Sequence, residues 1–258
     1  MSRESASLEA PKTLIVEAPT GERVVIELVV NPRARRIAVR IDAARRAAIA
    51  TVPSARQIRA AAQFASERAG WIARELSRVP ERTSFMPGAL APLRGVNHEL
   101  VFEPGRGPAR IEPARMESGE GIDDQPTTPK LIAPAPDVAL FESRVIRFLK
   151  AEAKIDLTRR VQEYSAILGV QPTRIQVKET RSRWGSCTSD GALAFSWRVI
   201  LAPPFVLDYL AAHETAHLCE MNHSKKFWDA VKKALPDYKR GHVWLDKHGA
   251  SLHAFGAG

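Results

Sequence analysis

The stretch HETAHLCEMNHSKKFW, residues 213–228, decides how the second half of this chain folds. On an α-helix, residues four apart differ by about 40° around the axis, so His213 and His217 share one face. Two imidazoles placed in this way can bind one zinc ion, and Glu214 can then orient and deprotonate a water molecule beside it. A pair of histidines without metal does not explain why the glutamate directly follows the first of them. The spacing therefore predicts a zinc site on a helix.

The third ligand of such a site lies outside the helical pair, and the downstream candidates are Glu220, His223, His242 and His248. Asn222 belongs to a residue type that tolerates the left-handed conformation of a helix C-terminus, so we predict that the helix stops there. Ser224 suits the N-cap of a following helix. His223 would then lie in a tight corner between two helices, where the chain can fold it back over the metal.

The other candidates are weaker as ligands. Glu220 follows His217 by three residues on the same helix. We expect it to be a surface carboxylate or to contact the metal ligands without binding the metal itself. His242 and His248 lie in the tail of the chain, where a surface or supporting position is favoured.

Three histidine ligands leave one coordination position open, and an open position is typical of catalytic rather than structural zinc. A structural site would use thiolates, but Cys187 and Cys219 lack C-x-x-C spacing. Two cysteines also imply no disulfide framework, so a reducing cytoplasm is the expected compartment. The N-terminus lacks the order of a signal peptide, and no apolar run is long enough to cross a bilayer.

The net charge of +9 suits a nucleic-acid or acidic partner, because phosphate neutralisation by Lys and Arg drives such binding. The stretch RARRIAVRIDAARR, residues 33–46, holds six arginines and one aspartate. Further positive charge comes from the last long helix, with Lys225, Lys226, Lys232 and Lys233. The alternative, that these charges only solvate exposed faces of a globular protein, is favoured.

Hydrophobic periodicity predicts an α+β fold in two halves joined by an irregular segment. The N-terminal β-rich region, residues 14–103, contains several strands and one amphipathic helix over 58–79. Residues 104–136 are rich in Pro and Gly and predict a loop-rich connection, in which KLIA can still pair as a short strand. Residues 137–252 predict a long helix over 140–169, a small sheet and the metal-binding helix.

Within the last region, we predict strands over 174–179 and 192–200, joined by a hairpin turn at SDG. Pro203 and Pro204 suit the start of the metal-binding helix. A further helix is expected from Ser224 to about Leu235, followed by a short helical piece in GHVWLDKHGASL.

The quoted stretch belongs to a longer pattern, RSRWGSCTSDGALAFSWRVILAPPFVLDYLAAHETAHLCEMNHSKKFWDAV, that closely resembles the YgjP-like metal-dependent hydrolase family. This family is related to the SprT-like and WLM metallopeptidases and to the minigluzincins. RRIAVRID, AGWIARELSRV and PDYKRGHVWLDKHG are also similar to it, so the resemblance covers roughly residues 24–252. It implies a zincin-like catalytic half, with the active-site helix beside a small sheet and a long preceding helix. It also implies His223 as the third zinc ligand. The chain departs from the family at Thr215 and Ala216, where small or apolar residues are usual, and Thr215 is compatible with the motif.

SRWGSC, residues 182–187, also fits the family pattern. A strand beside a peptidase cleft can pair with an extended peptide through main-chain hydrogen bonds. Arg183 and Trp184 could then line the substrate cleft. Equally, Trp184 could belong to the core with Arg183 packed over it.

Tyr238 and His242 follow in a segment that is similar to the family C-terminus. One hypothesis is that the Tyr238 hydroxyl or the His242 imidazole donates to the oxyanion of the transition state. The alternative, a tyrosine that anchors the last helix, is favoured.

Together these patterns predict a zinc-dependent metallopeptidase with one zinc ion, held by the three histidines, and Glu214 as general base. Its substrate would be a peptide or protein of unknown identity. Two alternatives stay open. One is a DNA-associated protease like the SprT-like relatives, and the other is a non-catalytic, zinc-stabilised interaction module.

Overall fold

The computed structural model describes residues 12–42, 45–79, 81–119, 122–180 and 183–256. The chain divides into two compact units, Met1–Pro80 and Glu81–Gly258. The boundaries predicted from composition, at 103/104 and 136/137, divide the chain differently and stay a prediction. No helix of the described residues is long and apolar enough to cross a membrane.

The first unit is a four-stranded sheet covered by two helices. Its strands are β1 (Lys12–Glu17), β2 (Arg23–Val30), β3 (Ala38–Asp42) and β4 (Ala47–Val52), in the order β1-β2-β4-β3. Only β2 and β4 run parallel. The helix predicted over 58–79 is divided at Arg68 into α1 (Ile58–Glu67) and α2 (Ala69–Arg78). Small buried residues such as Ala61 and Ala65 bring α1 close to the sheet.

The second unit begins with a four-stranded sheet. Its strands are β5 (Leu90–Leu93), β6 (Val96–Pro104), β7 (Arg110–Glu112) and, after a two-stranded ribbon of β8 (Met116–Gly119) and β9 (Ile122–Pro126), β10 (Lys130–Ala135). The order is β5-β6-β10-β7. KLIA lies in β10, which pairs parallel to β6 and buries five consecutive residues. The region predicted to be loop-rich therefore supplies part of a sheet.

The long helix α3 (Phe141–Leu168) forms the centre of this unit. Its buried residues recur every four positions, and it ends at Gly169 in the left-handed conformation. It packs against β10 and against α4 (Pro204–Ala216). α4 begins at Pro204, which agrees with the helix start predicted from the two prolines. Trp197, Tyr164, Phe141 and Phe195 are among the largest fully buried side chains of the unit.

A three-stranded sheet lies beside α4. It contains β11 (Arg174–Lys178), β12 (Gly185–Cys187) and β13 (Ala192–Ser196), in the order β11-β13-β12. The hairpin predicted between the two longer strands is wrong, because β11 and β13 run parallel. The SDG turn instead joins β12 to β13, which are antiparallel. β13 also ends four residues earlier than predicted, since residues 197–201 form a 3₁₀-helix.

Two further helices complete the unit, α5 (Lys225–Ala234) and α6 (Tyr238–Leu252). The short helical piece predicted near the C-terminus is in fact the fifteen residues of α6. Gly241 lets α6 approach α4 closely, because a Cβ there would lie 2.7 Å from the carbonyl oxygen of Phe205. This approach brings α6 beside the helix that carries the predicted metal ligands.

Candidate active site

Three histidines converge at the C-terminal end of α4. His213 and His217 lie in and just after its last turn, and His223 lies in the turn before α5. One ligand nitrogen from each residue lies within 4.8 Å of the others, and the Nε2 atoms of His213 and His223 are 3.2 Å apart. Two nitrogens bound to a tetrahedral zinc ion at 2.0–2.1 Å lie about 3.3 Å from each other. The spacing of this donor set therefore fits one zinc ion.

The Nδ1 atoms of His213 and His217 have partners of their own. Nδ1 of His217 lies 3.2 Å from the backbone carbonyl oxygen of Glu220, and Nδ1 of His213 lies 3.4 Å from the Tyr209 hydroxyl. Each Nδ1–H can donate there, which directs the unprotonated Nε2 toward the other imidazoles. Glu220 thus supports the site through its backbone, while its carboxylate accepts a hydrogen bond from the backbone N–H of Asn222.

The corner that holds His223 forms differently from the prediction. α4 ends at Ala216 rather than at Asn222, because the backbone tightens there into bonds between residues three apart, such as Leu218 N–H to the Thr215 carbonyl. Asn222 is not left-handed; Arg46 and Arg94 are the non-glycine residues with positive φ among those the structure describes.

Ser224, by contrast, caps α5 in the predicted manner. Its hydroxyl oxygen accepts a hydrogen bond from the backbone N–H of Phe227 at 3.4 Å. The buried Phe227 ring packs against all three imidazoles, with centroid distances of 4.9 Å to His213, 4.5 Å to His217 and 4.7 Å to His223. The first turn of α5 thus supplies an apolar ring against which the three imidazoles pack.

Glu214 lies beside this cluster and is 4 % exposed. Burial raises the pKa of Glu214 to about 8, and the positive charge of Arg183 opposes this rise. Burial also lowers the pKa of His213 to about 3, and the neighbouring histidines add to the effect. Neutral imidazole is the form that binds a metal ion, so burial favours ligation.

A cleft of about 320 Å³ opens over these groups. Glu214 and the three histidines line this cleft, and the rest of the lining consists of β12 (Gly185–Cys187), Arg183 and Met221. The volume lies at the lower end of the range for ligand pockets. The buried Glu214 side chain, the three histidines and an edge strand therefore share one cleft.

A family model described as YgjP-like, metallopeptidase domain, matches residues 35–248. The chain belongs to the YgjP-like metallopeptidase family. The resemblance noted from the sequence is thereby confirmed, and the protein is a metal-dependent peptidase. No curated protein matches the chain.

One solved structure, the metallopeptidase zymogen of Pyrococcus abyssi abylysin, is similar to part of the YgjP-like chain. The two are 22% identical, and the match covers 37% of this chain and 94% of abylysin with a TM-score of 0.33. This partial similarity adds nothing to the family assignment.

In this YgjP-like chain, Arg183 and Trp184 point to different environments. Arg183 lines the cleft near Glu214. The Trp184 ring contacts the His253 ring at a centroid distance of 4.4 Å, with the two ring planes tilted by 31°, and packs against Gly249 of α6. Ser182, the first residue of the SRWGSC pattern, lies outside the described residues.

Tyr238 and His242 line a second pocket of the YgjP-like chain, which shares no residue with the cleft. The Tyr238 ring stacks on Trp228 at 5.5 Å, and the His242 ring stacks between Trp228 at 5.8 Å and Tyr209 at 5.4 Å. Nε2 of His242 also lies 3.4 Å from the Asp246 carboxylate. Tyr238 and His242 are therefore linked to the histidine cluster through the rings of Trp228 and Tyr209, which also contact His213.

The remaining candidate, His248, is exposed and contacts Trp244, at a centroid distance of 5.0 Å. Sequence reasoning missed Tyr209, although it precedes His213 by four residues and so shares its helix face. It also missed Gly185, whose contact with Glu214 depends on the approach of β12 to α4. No local sequence pattern could have revealed that contact.

Proposed function

We propose that the protein hydrolyses peptide bonds as a zinc peptidase, with Glu214 as general base. The observation that carries this proposal is the 3.2 Å separation of the His213 and His223 Nε2 atoms, in the same cleft as a buried carboxylate. His213, His217 and His223 would hold one zinc ion. When bound, zinc supplies a Lewis acid that polarises the attacking water and the scissile carbonyl.

The reaction requires Glu214 to take part in two proton transfers. Its carboxylate accepts a proton from the attacking water and then delivers that proton to the leaving amide nitrogen. Burial raises the pKa of Glu214 to about 8, which makes its ionised form a stronger base than an exposed glutamate. Arg183 lies close enough to favour the charged form before the water is activated.

The substrate would be an extended peptide segment. β12 pairs with β13 along one edge, and no other described strand pairs with it, so its second edge is available at the cleft. Main-chain hydrogen bonds from an edge strand hold a peptide without regard to its sequence. This arrangement suits a peptidase that selects unfolded segments.

Replacement of Glu214 by Gln tests the proposed reaction. We expect Glu214→Gln to bind zinc as the wild type does but to lose casein cleavage by at least about 100-fold, the usual contribution of a general base. Zinc content by mass spectrometry and cleavage of fluorescent casein measure the two effects. Glu67→Gln, an exposed glutamate of α1, is the matched control and should change neither. Unchanged cleavage by Glu214→Gln would contradict the proposal.

DNA association is a second candidate, favoured by the exposed Arg33, Arg35 and Arg36. Other arginines of the same stretch have partners within the first unit: Arg45 pairs with Glu27 at 2.6 Å, and Arg46 donates to a backbone carbonyl. A gel shift with duplex and single-stranded DNA at low and moderate salt tests this candidate. A salt-sensitive shift supports it, and the absence of any shift at low ionic strength retires it.

A further inference from the structure

The carboxylate arm of Glu214 lies directly against the backbone of Gly185. A Cβ at residue 185 would meet the Glu214 Oε1 atom and would lie 2.6 Å from both its Cδ and its Cγ. Carbon atoms that are not bonded prefer separations of about 3.5–4.0 Å. The present position of the Glu214 side chain is therefore compatible only with glycine at this point of β12.

The backbone of Gly185 does not itself require glycine. Gly185 is not among the glycines with positive φ, and it pairs in regular antiparallel register with the buried Phe195. A glycine inside a strand weakens that strand, and it commonly marks a close approach of another group. The missing side chain thus provides space rather than conformational freedom.

Packing is what holds the Glu214 carboxylate in place. The side chain is 4 % exposed, and among the described residues none donates a hydrogen bond to it; burial and the charge of Arg183 are the influences on its ionisation. A carboxylate without hydrogen-bonded partners takes the position that its neighbours leave open. Gly185 forms the wall on the β12 side.

We propose that Gly185 is a positioning residue, whose missing side chain sets where the Glu214 carboxylate stands relative to the three histidines. This inference rests on the proposed role of Glu214 as the base. A methyl group at residue 185 displaces the end of a side chain rather than any backbone atom. The histidine cluster and the fold are therefore preserved, while the base moves away from the reacting water.

The catalytic consequence is measured on Gly185→Ala with fluorescent casein. We expect kcat to fall on the order of 10²-fold, the loss that follows a misplacement of about 1 Å, while KM changes much less. Zinc content should equal that of the wild type. Gly107→Ala is the matched control, because a Cβ there meets only Pro134, at an ordinary 3.7 Å, and should leave all three quantities unchanged.

The contact itself is tested without any hydrolysis, by a double-mutant cycle on the zinc-free full chain. Gly185→Ala should lower the urea midpoint of the wild type, but not that of Glu214→Ala, which lacks the three atoms that the methyl group would meet. Tryptophan fluorescence reports mainly the second unit, which contains Trp184, Trp197, Trp228 and Trp244.

The kinetic measurement and the double-mutant cycle together distinguish failure of this inference from failure of the proposed function. Equal effects of Gly185→Ala in both backgrounds, or an unchanged kcat, would overturn the positioning role. A wild-type protein that cleaves no casein would instead contradict the proposed function, whatever the cycle shows. Coupling in the cycle together with a selective loss of kcat supports the inference.

Discussion

Nε2 of His223 lies 3.2 Å from Nε2 of His213, although ten positions separate the two residues in the chain. The approach depends on three local features: the end of α4 at Ala216, the turn that follows it, and the cap that Ser224 provides for α5. Imidazole nitrogens held this close are stabilised by a cation that they share. The local structure therefore brings together the three histidines that we propose as metal ligands.

The Tyr209 hydroxyl is expected to strengthen metal binding by orienting His213. Because this hydroxyl lies 3.4 Å from Nδ1 of His213, Tyr209→Phe should lower zinc affinity by about 10- to 100-fold, as loss of a ligand's hydrogen-bond partner usually does. Competition with a chromogenic chelator measures the affinity. Tyr238→Phe, which alters a ring stacked on Trp228, is the control and should bind zinc normally.

The Tyr238→Phe variant also tests the hypothesis that the Tyr238 hydroxyl stabilises the oxyanion. If the Tyr238 hydroxyl donates to the oxyanion, Tyr238→Phe should lower kcat at unchanged zinc affinity, by about 100-fold as for the loss of one such donor. An unchanged kcat would leave Tyr238 with the anchoring role that its stacking on Trp228 suggests.

Chelation distinguishes the peptidase from a zinc-stabilised interaction module. The buried residues of α3, from Phe141 to Tyr164, form a core that does not involve the histidines. We therefore expect a chelator to abolish casein cleavage while the far-UV circular dichroism keeps most of its helical signal. Loss of the helical signal on chelation would favour the module, because such modules fold only with their metal.

Glu179 should contribute to the stability of the second unit in a pH-dependent way. Burial raises the pKa of Glu179, but hydrogen bonds from Arg198 and Trp197 outweigh burial and hold the pKa below its ordinary value of 4.5. A carboxylate with a lowered folded pKa stabilises the protein above its unfolded pKa, and this contribution is lost as the pH falls through the folded value.

The free energy of unfolding of the wild type should therefore fall more steeply below pH 4.5 than that of Glu179→Gln. Urea titrations between neutral and acidic pH measure the two slopes. Glu75→Gln, which removes a surface pair with Arg78, should follow the wild type. Parallel pH profiles for Glu179→Gln and the wild type would show that the bonds to Arg198 and Trp197 do not favour ionised Glu179.

Much of the site could be predicted from local spacing alone. His213 and His217 share a face because of helical geometry, and the capping role of Ser224 is readable from its residue type. The reason given for the helix end was wrong, since α4 stops at Ala216 through tightening of its own backbone rather than through a left-handed Asn222. The corner at His223 was expected from the sequence. Its conformation depends on backbone hydrogen bonds after α4, such as that from Leu218 N–H to the Thr215 carbonyl, which residue types do not reveal.

Features that depend on distant segments could not be predicted. The sequence predicts KLIA only as a short strand within a loop-rich segment, whereas pairing with β6 and contacts with α3 make β10 an inner strand of a sheet. The different environments of Arg183 and Trp184 follow from the contact of Trp184 with Gly249 and His253, and the close contact at Gly185 follows from where α4 lies. Each is a tertiary contact between residues remote in sequence.

The central claim is that one zinc ion and Glu214 act together in the cleft, and a zinc titration of the metal-free protein tests it most directly. Casein cleavage should rise with added zinc and reach its plateau at one ion per chain, while Glu214→Gln binds the same single ion and stays inactive. Cleavage that needs no zinc, or a Glu214→Gln variant as active as the wild type at one ion per chain, would contradict the account.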